Sequence, residues 1–113
     1  MVVHIVEDDA AVADALAMAI EHLDHLSKTY TDGETFLAQG PVSGTDMVIL
    51  DLGLPGMSGI EVAQYLNTLR CPPKVIAISG KSYTRLQHHL KKLPSLTVLR
   101  KPLSIDTLAA AMA

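Results

Sequence analysis

The 113-residue sequence has few of the features that mark secreted, membrane or nucleic-acid-binding proteins. Its one cysteine, Cys71, cannot form an internal disulfide, which excludes a disulfide-stapled fold and favours a reducing compartment. No apolar run approaches the roughly 18–20 residues that cross a bilayer, and the N-terminal MVVHIVEDD lacks the basic segment of a signal peptide. Tryptophan is absent and aromatic residues make up 4% of the chain, so few rings could stack on bases. We therefore expect a cytoplasmic domain that binds neither a membrane nor nucleic acid directly.

The composition that is present is typical of one packed domain. Hydrophobic residues make up 49% of the chain and charged residues 19%, which supports a core and argues against disorder. The net charge of −3 is unevenly distributed, because residues 1–61 hold eleven acidic residues and one basic residue. Residues 62–113 hold eight basic residues and one acidic residue. We predict a single domain over residues 1–113, with a last helix that is cut short and a chain that belongs to a longer protein.

Hydrophobic periodicity alternates between strands and helices along the whole sequence. Five short apolar runs predict buried strands, and the segments between them place apolar residues at helical spacing. Asp9 is expected to cap the first helix, and Ser58 with Glu61 forms a capping-box pattern. Short connections between alternating elements predict right-handed βαβ units and a doubly wound parallel sheet, with strand order 2-1-3-4-5. The predicted strands are 2–6, 28–31, 47–50, 75–78 and 96–99; the predicted helices are 10–26, 33–39, 83–93, one that begins after Ser58 and one that begins after Ser104.

Polar side chains follow four of the five predicted strands. Strand one ends in Glu7 and Asp8, strand three in Asp51, strand four in Ser79 and strand five in Lys101. Ligands of such sheets bind at the carboxyl ends of the strands, beside the point where the strand order reverses. Three carboxylates gathered there repel one another unless a cation lies among them, and a small set of oxygen ligands suits Mg²⁺. An ammonium and a hydroxyl on the other side suit a phosphoryl group bonded to a carboxylate.

These residues resemble the response regulator receiver domain of two-component signalling. The matching segments are VEDD at 6–9, DLGLPGMSG at 51–59, ISG at 78–80 and KP at 101–102, and they cover essentially the whole chain in order. The resemblance implies a flavodoxin-like (βα)₅ fold, in which Asp51 accepts a phosphoryl group from a histidine kinase in a Mg²⁺-dependent reaction. It further implies that Glu7, Asp8, Asp51 and the backbone carbonyl of Gly53 hold the metal, that Ser79 is the switch hydroxyl and that Lys101 contacts the phosphate.

The resemblance also implies partners and two departures from the family pattern. The expected partners are a sensor histidine kinase or phosphotransfer protein and an output domain or effector, with a homodimer of this chain as a further option. Val98 stands where the family usually has an aromatic residue that moves with the switch hydroxyl, and Tyr83 is a candidate replacement. Residues 91–95 replace the small residues that usually precede strand five.

Two alternatives stay open at this level. One is a degenerate receiver that binds partners without being phosphorylated; the intact set of site residues argues against it, and the valine at position 98 leaves it open. The other is a Mg²⁺-dependent phosphatase that passes through an aspartyl-phosphate, although such enzymes place the nucleophile after the first strand. We expect no enzyme activity beyond self-catalysed phosphoryl transfer and autodephosphorylation. His4 lies in the middle of the first strand and is expected to be a buried, hydrogen-bonded core residue.

Overall fold

The computed structural model describes residues 1–39, 42–80, 96–101 and 103–112. Five strands and four helices lie within these ranges. The strands are β1 (Val2–Val6), β2 (Leu26–Tyr30), β3 (Met47–Asp51), β4 (Lys74–Ser79) and β5 (Thr97–Arg100). The helices are α1 (Ala10–His22), α2 (Gly33–Ala38), α3 (Gly59–Asn67) and α4 (Ile105–Met112). The predicted helix over 83–93, with Tyr83 and residues 91–95, lies outside the described residues.

The five strands form one parallel sheet in the order β2-β1-β3-β4-β5, as predicted. Alternate residues of β3 enter two different cores, because successive side chains of a strand point to opposite faces. Val48 and Leu50 belong to the cluster that includes Phe36 of α2 and Leu66 of α3. Met47, Ile49 and the neighbouring strand residues pack instead against α1 and α4, through Leu16, Ile20 and Leu108. The sheet is therefore covered on both faces, which accounts for the mostly apolar, buried central strands β1, β3 and β4.

The end of α1 differs from the prediction. The apolar spacing predicts a helix to residue 26, but α1 ends at His22, with Leu23 as its C-cap. Asp24 follows with a φ of 64°, a left-handed conformation that short polar residues adopt more readily than most and that cannot continue a helix. Leu26 therefore begins β2, two residues earlier than predicted, and 71% of its surface is exposed.

The predicted helix starts are confirmed. The Asp9 carboxylate accepts hydrogen bonds from the backbone N–H groups of Ala11 and Val12. Ser58 and Glu61 form the reciprocal capping box at the start of α3. The Ser104 hydroxyl accepts from the N–H of Thr107 at 3.1 Å. These caps fix where each helix begins and therefore the lengths of the loops that border the carboxyl end of the sheet.

His4 is buried and hydrogen-bonded, as expected. One ring nitrogen, Nδ1, lies 2.9 Å from the Tyr30 hydroxyl, and the other, Nε2, lies 2.9 Å from a carboxylate oxygen of Asp46. The ring also packs against Tyr30 and Phe36, with centroid separations of 5.8 and 5.6 Å. Within the described residues, no helix is long and apolar enough to span a membrane.

Candidate functional site

Strand register brings the predicted site residues to one edge of the sheet. Val6 of β1 pairs with Leu50 of β3, so Glu7 and Asp51 follow side by side. Asp51 pairs with Ile78 of β4, which makes Ser79 the next residue along. Ser79 in turn pairs with Arg100 of β5, directly before Lys101.

Three carboxylates meet at this edge. Each of Glu7, Asp8 and Asp51 offers one oxygen, and these three oxygens all lie within 4.8 Å of one another. Glu7 and Asp51 are almost completely buried, with exposed fractions of 1% and 4%, whereas Asp8 is exposed. The carboxylates of Glu7, Asp8 and Asp51 therefore form an acidic cup that is shielded from solvent at Glu7 and Asp51 and open to solvent at Asp8.

The ammonium of Lys101 reaches into the same cup. Its Nζ lies 2.6 Å from Oε1 of Glu7 and 3.3 Å from Oδ2 of Asp51. The contact with Oε1 is a close ion pair, yet this buried oxygen has no hydrogen bond of regular geometry to any described residue. The Lys101 ammonium is the one positively charged partner that the described residues offer this oxygen. The sequence placed Lys101 at the site, but it did not predict the ion pair with Glu7.

The proton affinities of the two buried carboxyl groups move in opposite directions. Burial is the largest cause and a proton shared with Asp51 the second; together they raise the pKa of Glu7 from 4.5 to about 7. Burial would also raise the pKa of Asp51, but hydrogen bonds from Glu7 and the Gly53 N–H, together with the Lys101 charge, outweigh it and lower that pKa. The same carboxylates overcome the effect of burial on Lys101 and raise the pKa of its ammonium. Asp51 is therefore an ionised carboxylate at neutral pH, and Glu7 is the group that shares its proton.

The backbone around Asp51 holds its carboxylate in place. The Gly53 N–H donates to Oδ1 of Asp51 at 2.9 Å, which leaves Oδ2 directed toward Lys101. At the start of α3, Gly59 packs on the backbone of Asp51 and Leu52. A Cβ at Gly59 would lie 2.6 Å from the Cα of Leu52 and still closer to the carbonyl oxygen of Asp51. Only a residue without a side chain allows α3 to begin this close to the site.

Two supporting residues were missed by sequence reasoning. Gly59 could have been identified from its position, since glycine is a poor helix former at a helix start that is otherwise well capped. Glu34 of α2 accepts a hydrogen bond at 3.3 Å from the N–H of Met57 and so fastens the loop between β3 and α3. Gly56, in that loop, has a φ of 67°, and a Cβ there would lie 2.6 Å from a Glu34 carboxylate oxygen. Nothing in the periodicity of α2 indicated this contact.

The site can hold a small divalent cation and place an anionic group beside it. Carboxylate oxygens at this spacing suit Mg²⁺, and the buried Glu7 oxygen is the kind of atom that a cation would satisfy. Asp51 is ionised and partly desolvated, which are the properties of a carboxylate nucleophile. Lys101 supplies one positive charge that could neutralise an incoming phosphoryl oxygen.

The predicted switch positions lie on β4 and β5. Ser79 is buried at the end of β4, with 2% of its surface exposed, and its carbonyl accepts from the Lys101 N–H at 2.9 Å. Val98 of β5 is half-buried and packs against Leu52 and Ala77. A smaller side chain than an aromatic ring therefore contacts the residue next to Asp51 and the core of β4.

The fold and this constellation define a doubly wound α/β domain with an acidic site at its topological switch point. The family model of the response regulator receiver domain matches residues 3–113 of the chain. The chain therefore belongs to that family. The tetrathionate response regulatory protein TtrR of Salmonella typhimurium is 30% identical over 110 residues, covering 97% of this chain and 53% of that protein. The transcriptional regulatory protein FixJ of Azorhizobium caulinodans is 29% identical over 110 residues, covering 97% of this chain and 52% of that protein.

Solved structures agree on the fold. A CheY-like response regulator receiver domain from Methylobacillus flagellatus superposes with a TM-score of 0.85 and is 28% identical, covering 99% of this chain and 95% of that one. The BeF3-activated DrrB receiver domain has the same TM-score at 23% identity, covering 98% of this chain and 92% of that one. The chain spans about half the length of TtrR and FixJ. It is thus a receiver domain of two-component signalling with the flavodoxin-like fold predicted from the sequence.

Proposed function

We propose that this domain is a phosphorylation-dependent switch in which Asp51 accepts a phosphoryl group from a histidine kinase or phosphotransfer protein. The observation that carries the proposal is the placement of the buried Asp51 carboxyl group between two acidic neighbours and the Lys101 ammonium. An Asp51 oxygen attacks the phosphorus of the phosphorylated donor, a P–O bond forms, and the bond to the donor nitrogen breaks. The product is an acyl phosphate on Asp51, and the donor leaves as a neutral imidazole after it takes up a proton.

We propose that Glu7, Asp8, Asp51 and the backbone carbonyl of Gly53 hold Mg²⁺, which would neutralise charge on the phosphoryl oxygens when bound. Glu7 must give up its shared proton to contribute a charged ligand, and Asp8 contributes from the solvent side. Lys101 holds a positive charge at Oδ2 of Asp51, where it can contact a phosphoryl oxygen. Ser79, one residue past the strand partner of Asp51, is the proposed hydroxyl donor to another oxygen.

The added phosphoryl group carries about −1.5 to −2 charges at pH 7, in the place of one carboxylate charge. We propose that Lys101 and Ser79 move toward it and change the surface around β4 and β5, where an output domain, an effector or a second copy would bind. We also propose that residues 1–113 form a single domain and that it is cytoplasmic. Val98 and the residues it contacts would transmit the change through packing rather than through rotation of a ring.

Incubation with Mg²⁺ and acetyl phosphate tests the acceptor. We expect a mass increase of one phosphoryl group that is acid-stable and base-labile, and that is lost in Asp51→Asn. Asp24→Asn is the matched control, because Asp24 is exposed, lies outside the acidic cup, and has a left-handed backbone that asparagine tolerates. Equal labelling of Asp51→Asn and the parent protein would contradict the assignment, and an unlabelled parent protein would favour a phosphorylation-independent binding module. Continued release of phosphate from a phosphomonoester would favour the phosphatase.

A further inference from the structure

The loop between β3 and α3, residues 52–58, carries the Gly53 carbonyl that the proposed function assigns to the metal. Hydrogen bonds fix both ends of this loop. The Leu52 N–H donates to a carbonyl of β4 at 3.0 Å, and Ser58 belongs to the capping box of α3. Gly53 itself is exposed. The contacts that hold the middle of the loop therefore help to determine where the Gly53 carbonyl lies.

Among the described residues, one hydrogen bond joins residues 54–57 to another element of the fold. Oε1 of Glu34, on α2, accepts it from the Met57 N–H at 3.3 Å. The other carboxylate oxygen, Oε2, lies against Gly56, where an added Cβ would stand 2.6 Å away from it. Gly56 has a φ of 67°, which favours glycine, so the backbone can turn this close to the carboxylate. The Glu34 carboxylate thus contacts two successive residues of the loop.

The start of α2 is held against the same loop, so Glu34 reaches the loop from a fixed position. The Asp32 side chain caps the helix. A Cβ at Gly33 would lie 2.6 Å from Cγ2 of Val62 and 3.8 Å from Cβ of Met57, so the first residue of α2 packs on both α3 and the loop. Glu34 is the next residue along. Because its backbone is already ordered, the hydrogen bond to the loop costs little more than the freedom of one side chain.

We propose that Glu34 is a positioning residue for the metal site. Its hydrogen bond to the Met57 N–H holds the loop in the conformation in which Gly53 contacts the Asp51 carboxylate. This inference rests on the proposed function, in which the Gly53 carbonyl is a ligand of Mg²⁺. When a loop samples other conformations, the apparent affinity of the site falls in proportion to the fraction that is competent to bind. One hydrogen bond to a charged acceptor can change that fraction by about three- to tenfold.

Two measurements on Glu34→Ala and Glu34→Gln test this proposal. Hydrogen exchange in EDTA reports on the loop without any metal, and we expect the Met57 amide to exchange about three- to tenfold faster in Glu34→Ala. Titration with Mg²⁺, followed by amide chemical shifts, is expected to give a Kd that is higher by about the same factor. Glutamine keeps an oxygen that can accept from the Met57 N–H, so both values of Glu34→Gln should stay within about twofold of the parent. Glu21→Ala is the matched control, because it removes an exposed glutamate from α1, outside the loop.

The rate at which acetyl phosphate labels Asp51 separates positioning from a general loss of structure. At saturating Mg²⁺, we expect Glu34→Ala to be labelled at the maximal rate of the parent protein. The Mg²⁺ concentration that gives half this rate should rise in proportion to the Kd. A maximal rate that falls in Glu34→Ala would contradict a role confined to the placement of the metal ligand.

Four other results would overturn the proposal. Glu34→Ala could bind Mg²⁺ as tightly as the parent protein, or its Met57 amide could exchange no faster. Glu34→Gln could lose as much affinity as Glu34→Ala, because the charge rather than the hydrogen bond would then be responsible. Glu21→Ala could lose as much affinity as Glu34→Ala. A parent protein that binds no Mg²⁺ would overturn the proposed function and this inference together, whereas each of the four results, obtained with a parent protein that binds Mg²⁺, overturns the inference alone.

Discussion

Replacement of Glu7 by glutamine tests the electrostatics of the acidic cup most directly. Glutamine has the shape of the protonated glutamic acid and can donate an N–H toward Asp51 where the shared proton lies. Burial and the proton shared with Asp51 raise the pKa of Glu7 from 4.5 to about 7. The raised pKa means that the folded protein favours the neutral form, so the contribution of Glu7 to stability is complete below about pH 4.5 and is lost as pH rises through about 7.

The size of the loss follows from the pKa difference. Each pKa unit corresponds to about 1.4 kcal/mol, so the upper limit is roughly 3 kcal/mol, most of which is lost between pH 5 and pH 8. The lowered pKa of Asp51 has the opposite sign, and its contribution is lost only as pH falls below the usual range of an aspartate. Without Mg²⁺, we therefore expect Glu7→Gln to be more stable than the parent protein by about 2–3 kcal/mol at pH 8 and by less than about 1 kcal/mol at pH 5.

Urea unfolding in EDTA at several pH values measures this difference. Glu21→Gln is the control, since it neutralises an exposed glutamate of α1 and should leave the pH profile of the parent unchanged. A difference between Glu7→Gln and the parent that stays constant from pH 5 to pH 8 would refute the reasoning. So would a Glu7→Gln protein that is less stable than the parent at pH 8, because the ion pair with Lys101 would then outweigh the cost of burial.

The remaining predictions concern the metal, the ammonium and the contact beneath the site. Mg²⁺ should raise the melting temperature of the parent protein at pH 8, and less at pH 5.5, because binding at pH 5.5 must displace the Glu7 proton. Calorimetry in two buffers should detect about one proton released per ion near pH 6. Equal stabilisation at both pH values would contradict the ligand role of Glu7. Lys101→Met should destabilise the metal-free protein by about 1–3 kcal/mol at pH 8, because two buried carboxyl groups lose their ammonium partner. Urea unfolding measures this difference. An unchanged stability would show that the ion pairs contribute little. Gly59→Ala should lower the free energy of unfolding by about 1–3 kcal/mol, because its Cβ would overpack against the Asp51 backbone. Gly53→Ala should lower it less in the same assay, because a Cβ there would meet only a carboxylate oxygen at 3.5 Å. Equal losses would contradict the close approach of α3.

The sheet and the edge that carries the site could be predicted because each depends on a repeated signal. Buried apolar runs identify the strands, and alternation with helices makes the sheet parallel. Once the strand order is known, the residues that follow the strands must gather at one edge, as Glu7, Asp51 and Lys101 do. The end of α1 depends instead on the backbone conformation of one residue, Asp24, to which an apolar period is insensitive.

The contacts that the sequence could not predict depend on side-chain reach and exposure. Glu7 meets Lys101 because both side chains are long and extend into the same cup, whereas strand order alone specifies only that their backbones are near. The exposure of apolar side chains between α1 and α4 was not predicted, for a related reason. Ile105 lies three residues before the buried Leu108 in α4, yet 45% of its surface is exposed. An apolar period identifies the side of a helix that avoids water, but it does not reveal where two helices stand too far apart to cover each other.

Charge balance in the cup explains why a proton and a divalent cation are alternatives. Three ionised carboxylates and one ammonium would leave two uncompensated negative charges around a largely buried site. The shared proton on Glu7 removes one of them, and burial together with this shared proton raises the pKa of Glu7. A divalent cation removes both, so it favours the ionised form of Glu7 and frees Lys101 from its role as the sole positive charge among the described residues of the cup. A phosphoryl group added to Asp51 would then enter a site whose charge is already balanced, and Lys101 is the group that could turn toward the charge it brings.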